Sequence, residues 1–161
     1  MSYRLPLFAV FLACSVVQVA FSRLRFYEVD MLMIFLVYAG LTRGAPKAIF
    51  SAAAAGLVED TLSGGFFGFY GFSKTVVGYL TNIAGRYMVA DAPAVQGAAL
   101  TLGVCVEAVV LHALGALFGR GEPPAVQETL LRAVGTLVVG LLALRGIQRA
   151  ERARERRRYG R

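Results

Sequence analysis

Three ionisable residues, Lys74, Glu107 and Arg132, each interrupt an otherwise apolar run. An ion within a membrane span costs about 2.5 to 3.5 kcal/mol on insertion scales, so such groups normally face a partner or water. At about 1.5 Å of helix rise per residue, Lys74 falls about 12 Å, Arg132 about 10 Å and Glu107 about 18 Å from the outer ends of their segments. They therefore lie in the outer half of a span or near its middle, with Asp30, Glu59 and Asp60 at outer segment ends. Together these groups can form a buried charge network, line an outward-facing cavity or meet a partner. Glu128 and Arg132 also stand at i and i+4, so Arg132 can be satisfied within its own helix.

Other reactive groups are sparse. His112 follows Glu107 by five residues and has no second His or Cys at ligand spacing, so no metal is expected. Glu59 and Asp60 are adjacent, and i and i+1 diverge on a helix, which argues against a shared acid and base role. Cys14 and Cys105 lie far apart inside apolar runs. Phe11-Leu12-Ala13-Cys14 resembles a lipoprotein cleavage site only faintly, since the apolar stretch runs on to Phe21. The chain carries no G-x-S-x-G, Walker A or H-E-x-x-H motif, and no catalysis or cofactor is expected.

The elements that must position these charges follow from composition. Of 161 residues, 57% are hydrophobic and 17% charged, and mean hydropathy is +0.62, beyond the balance of a soluble domain. Six apolar segments are legible: Leu5 to Ser22, Met31 to Leu41, Ala48 to Val58, Phe66 to Met88, Ala92 to Gly119 and Ala125 to Ile147. Thr42-Arg43-Gly44-Ala45-Pro46-Lys47 forms a basic turn between the second and third, and Glu59-Asp60 closes the third. The expected fold is an all-α integral membrane protein with six transmembrane helices over residues 1–147 and a basic tail over 148–161. Continuous apolar runs without two-residue alternation disfavour a β-barrel.

Orientation follows from the cations. Arg4, Arg43, Lys47, Arg86 and the eight arginines from position 145 onward give twelve on one side, against Arg23, Arg25 and Arg120 on the other. The positive-inside rule then places both termini in the cytoplasm. An Arg run directly after an apolar helix anchors topology and meets anionic lipid, which explains the net charge of +7 without nucleic acid.

Gly64, Gly71, Gly78 and Gly85 recur every seven residues. Two helical turns nearly match that interval, so they predict a smooth stripe along the fourth helix that admits a neighbouring backbone. The small-residue third helix with Gly56, and a local GxxxG from Gly115 to Gly119, are further close-packing surfaces for the monomer or for a partner.

The order Asp30, an apolar helix, Tyr38-Ala39-Gly40-Leu41-Thr42-Arg43-Gly44, a small-residue helix, and Gly56-Leu57-Val58-Glu59-Asp60-Thr61-Leu62-Ser63-Gly64-Gly65-Phe66-Phe67-Gly68 resembles the rod shape-determining protein MreD family. Length and span count match over the whole chain, and the specific part covers about residues 29 to 88. Asp30, Gly56, Leu57, Asp60, Ser63 and Gly68 carry it, whereas the last two helices match only in character. The resemblance implies a non-enzymatic scaffold or regulator of cell elongation. Its implied partners are the bitopic protein MreC, the RodA glycosyltransferase with its transpeptidase, and the MreB filament. It also implies a fold similar to the S components of energy-coupling factor vitamin transporters, which supplies an alternative in which Lys74, Glu107 and Arg132 line a vitamin pocket.

Overall fold

The computed structural model describes residues 6–23, 29–64, 66–119 and 126–159. Among these there are six helices and no strand: α1 Leu7–Arg23, α2 Met31–Thr42, α3 Ala45–Ser63, α4 Phe69–Tyr87, α5 Pro93–Leu117 and α6 Val126–Tyr159. Arg4, Arg25, Arg120 and Arg161, which entered the charge count, lie outside the described residues.

The second apolar segment becomes the centre of the bundle. Ten of the twelve residues of α2 are buried, on every side of the helix. A helix apolar all round suits either a protein core or lipid, and α2 takes the core, packing against each of the other five. Contacts along it fix the directions. Asp30 meets Lys74 at one end of α2, and Gly40 accepts a hydrogen bond from Asn82 at the other, so α2 and α4 run the same way. Asp30 with Thr136 and Tyr38 with Glu151 put α6 in the same sense. Gln18 of α1 accepts the Met31 N–H while Phe11 packs on Phe35, so α1 runs opposite. The start of α1 and the end of α6 therefore lie at one end of the bundle.

Two segment boundaries differ from the sequence expectation. Helix α3 does not stop at Glu59 but continues to Ser63, because both carboxylates there are buried among partners instead of entering solvent. Helix α6 does not end at Ile147; its backbone stays helical through the basic segment to Tyr159. Arg, Ala and Glu are good helix formers, and nothing between 147 and 159 breaks the run.

The exterior is apolar and the interior carries charge. On α6, Leu130, Val134, Val138 and Leu142 form an exposed i, i+4 stripe, while Thr136, Gly140 and Leu144 are buried on the opposite face. Phe8, Leu12 and Val16 of α1 and Leu102 and Val109 of α5 are likewise exposed. Such a surface suits lipid and not water. Helix α5 and residues Thr129–Glu151 of α6 are each long and apolar enough to cross a membrane, and α1 and α2 are shorter apolar helices.

Candidate functional site

The charged centre is built from five helices. Asp30 caps α2: its Oδ1 accepts the Met33 N–H at 2.7 Å, and its own N–H donates to Thr136 Oγ1 at 3.0 Å. Lys74 sits in the second turn of α4, fully buried, with Nζ 2.6 Å from Asp30, 2.7 Å from Glu59 and 3.0 Å from Glu107. Arg132, near the start of α6, lies 2.5 Å from Glu59, 2.7 Å from Asp30 and 3.6 Å from Glu107. Its guanidinium also lies over the Tyr70 ring, 6.0 Å from the centroid.

Each carboxylate thus reaches both cations. Three anions against two cations leave one negative charge in excess, and the N-terminus of α2 opposes part of it at Asp30. The structure therefore brings Lys74, Glu107 and Arg132 together, with Asp30 and Glu59 completing the set. Arg132 is directed to other helices; the Glu128 side chain, its expected partner in α6, lies outside the described residues. The acid groups of Asp30, Glu59 and Glu107 approach closely enough to suggest a metal site. Lys74 and Arg132 fill the space between them and supply the positive charge there.

Asp60 does not join this network. Its carboxylate turns to the start of α4, accepting N–H groups from Gly68 at 2.9 Å, Tyr70 at 2.9 Å and Gly71 at 3.1 Å. Helix α4 has Gly68 at its N-cap and no cap of its own side chains, so Asp60 caps it from α3. Between them, Gly64 and Gly68 turn the chain with φ of 64° and 102°, which favours glycine. Ser63 donates to the Asp60 carbonyl at 3.3 Å, while Leu57 points outward. Asp60→Ala is expected to lower unfolding stability by about 1–3 kcal/mol, with Asp60→Asn losing less, as read by thermal unfolding in detergent. Equal midpoints for D60A and the parent would remove the capping role.

The glycines divide by location. Gly64 ends α3 and so lies off the stripe expected along α4. Gly71, Gly78 and Gly85 are in α4. A Cβ on Gly78 would stand 2.5 Å from Ala52 Cβ of α3, and one on Gly85 would stand 2.8 Å from Leu41 Cα of α2. Gly56 faces the backbone of Tyr70 and Gly71. These contacts are internal to the bundle. The GxxxG is split, since α5 stops at Leu117 and Gly119 has φ of 63° beyond it. His112 is exposed, as is Cys105, and Cys14 lies part-buried within α1.

A second polar group, with no motif to flag it, lies at the opposite end. Tyr38 donates to Glu151 at 2.7 Å, Asn82 donates to the Gly40 and Arg43 carbonyls at 3.1 and 2.7 Å, and Gln148 donates to Asp91 at 3.3 Å. The Glu151 and Gln148 contacts fasten the extended part of α6 to the bundle, and those of Asn82 join α4 to the end of α2.

Residues 2–123 match the family model described as rod shape-determining protein MreD. No curated protein and no solved structure matches the chain.

Proposed function

We infer the function from the family: the chain belongs to the rod shape-determining MreD proteins, membrane proteins with a role in setting rod shape, and we propose that it acts as a non-enzymatic scaffold of cell elongation. The family match carries this reading. Closed packing supports it, because the charged groups of α2 to α6 bond to one another and tie the five helices together. In the proposed arrangement all six helices cross the inner membrane, α2 enclosed by the others, and both termini face the cytoplasm. The charge cluster then lies in the outer half, and the Tyr38 end lies inside. Residues 1–147 form the membrane domain. The segment 148–161 meets anionic lipid with its arginines, of which only Arg149 has its side chain among the described residues.

The primary partner in this reading is an MreC-like bitopic protein held against an outer or lateral face. The glycosyltransferase, its transpeptidase and MreB are reached directly or through that partner. The alternative, an S-like component of a vitamin transporter, requires Lys74, Glu107 and Arg132 to face a ligand. Here Lys74 and Glu107 are fully or almost fully buried against each other's partners, which favours the scaffold. Depletion is expected to round the cells while nutrient uptake is kept, as seen by microscopy and growth on limiting vitamins. Rods that persist after depletion, or a vitamin requirement, would overturn the proposal.

A further inference from the structure

The charge cluster does not balance. Counted as ionised, Asp30, Glu59 and Glu107 carry three negative charges against the two positive charges of Lys74 and Arg132. The groups that face the set from the same helices and from α1 are neutral: the Cys14 thiol of α1 lies within electrostatic reach of Asp30, and the Tyr70 ring of α4 lies under Arg132. Asp60 is turned away to the start of α4. An uncompensated charge in such a place is expensive, because burial penalises any ion that is not paired. The N-terminus of α2 supplies only about half a charge, and supplies it at Asp30.

The hydrogen bonds locate the excess. Asp30 is fully engaged: Oδ1 accepts the Met33 N–H, and Oδ2 accepts from Lys74 and Arg132. Glu59 Oε1 accepts from Arg132. Glu59 Oε2 and Glu107 Oε1 differ. They lie 2.7 and 3.0 Å from Lys74 Nζ and are attracted to it, yet both are buried and neither has a partner in hydrogen-bond geometry among the described residues. The two residues are 7% and 2% exposed. The pair thus lacks one positive charge and one donor, in a space that Lys74 and Arg132 already occupy. A proton supplies both and takes no room: on either glutamate it cancels the excess and turns an unpaired acceptor into a donor. Oxygens of the three acids also come within 4.8 Å of one another, close enough for like charges to oppose ionisation of all three.

We propose that the cluster is a proton-binding site, in which Glu59 and Glu107 share one proton at neutral pH and holding it helps to lock the five helices together. The proton belongs to the pair and not to either residue alone. Exchange with water runs past Arg132, whose side chain is 22% exposed, whereas those of the other four members are 9% or less. The site depends on the geometry of the cluster and not on the scaffold reading.

Infrared spectroscopy of the full-length chain in an ester-free detergent reads the proton directly, through the C=O band of a protonated carboxyl. Exposed carboxyls are ionised at about pH 7, so a band there reports a buried one. The parent is expected to show it, and Glu107→Gln and Glu59→Gln are each expected to lose it, because two carboxylates against two cations leave nothing for a proton to balance. A parent without the band, or a band that survives both substitutions, overturns the site. Stability gives an independent reading that needs no variant. The unfolded chain has lost its carboxyl protons at neutral pH, so the folded chain binds one proton more and stability falls as pH rises. The unfolding constant, read by titration with a denaturing detergent, is expected to rise about tenfold from about pH 6 to about pH 7 in the parent and to stay level in E107Q. A level parent, or a slope kept in E107Q, overturns the site, as does a parent whose unfolding follows potassium concentration instead of pH, which would point to a bound metal cation.

Discussion

Lys74→Met is expected to lower unfolding stability by about 3–5 kcal/mol, the cost of breaking a buried ionic set by removing one partner. Met preserves most of the side-chain volume, so the effect isolates charge from packing. In the parent, one ammonium holds Asp30, Glu59 and Glu107, which come from three different helices. Without it, three carboxylates share Arg132 alone, and the excess of one negative charge becomes two. A loss of that size is a large share of the total stability of an ordinary domain, so depleted protein in the membrane and rounded cells are expected together. Thermal unfolding in nanodiscs measures the effect. The double variant Lys74→Met with Glu107→Gln restores the original excess and is expected to recover at least about 1 kcal/mol, a coupling typical of residues within one network. A parent-like midpoint for K74M, or strictly additive losses in the double variant, would show that the cluster is not held by its central cation.

The members of that cluster were legible in sequence to different degrees. Lys74, Glu107 and Arg132 announce themselves because a charge inside an apolar run demands a reason. Asp30 and Glu59 stand at segment ends, where a carboxylate in water explains itself, and nothing local says that they turn inward. Adjacent residues were harder still: Glu59 and Asp60 share the same sequence environment but separate into an ion pair with Lys74 and a cap on α4. That division depends on the 100° between neighbouring helix positions and on where α4 begins, which is a tertiary fact.

The same limit applies to the helix register. The count of six helices followed from apolar runs, whereas the true ends of α3 and α6 depended on burial of Glu59 and Asp60 and on helix formers in the basic segment. A seven-residue glycine interval suggested one stripe, but the turn at Gly64 intervenes before α4 starts. The polar contacts at the Tyr38 end had no sequence signal at all, since Gln, Asp and Tyr near segment ends are what any interfacial region contains.

Gly56→Leu is expected to be the most damaging single change among the glycines, with a loss of about 3 kcal/mol or more, at the upper end of core overpacking. The obstruction is backbone and not side chain. A Cβ at this position would meet the Tyr70 carbonyl oxygen, and would stand 2.5 Å from Gly71 Cα and 2.7 Å from Gly71 N. Neither rotamer change nor local repacking clears those atoms, so α4 must move away from α3. The move propagates, because Asp60 is one turn along α3 and grips the same Gly68, Tyr70 and Gly71 N–H groups, and Lys74 is one turn along α4 from Tyr70. Close approach at Gly56 therefore sets the cap and the charge cluster together. Even Gly56→Ala is expected to destabilise, despite the higher helix propensity of Ala. Gly146→Ala provides the contrast: apart from its chain neighbours and the local backbone of α6, no described atom lies within 4 Å of its added Cβ, and removing backbone entropy there is expected to stabilise by about 0.5–1 kcal/mol. Melting of the three variants in one detergent decides the matter. If G56A melts with the parent, the α3–α4 approach is looser than this geometry, and the glycine in the segment shared with the family has to be explained by a partner's contact and not by the bundle's own packing.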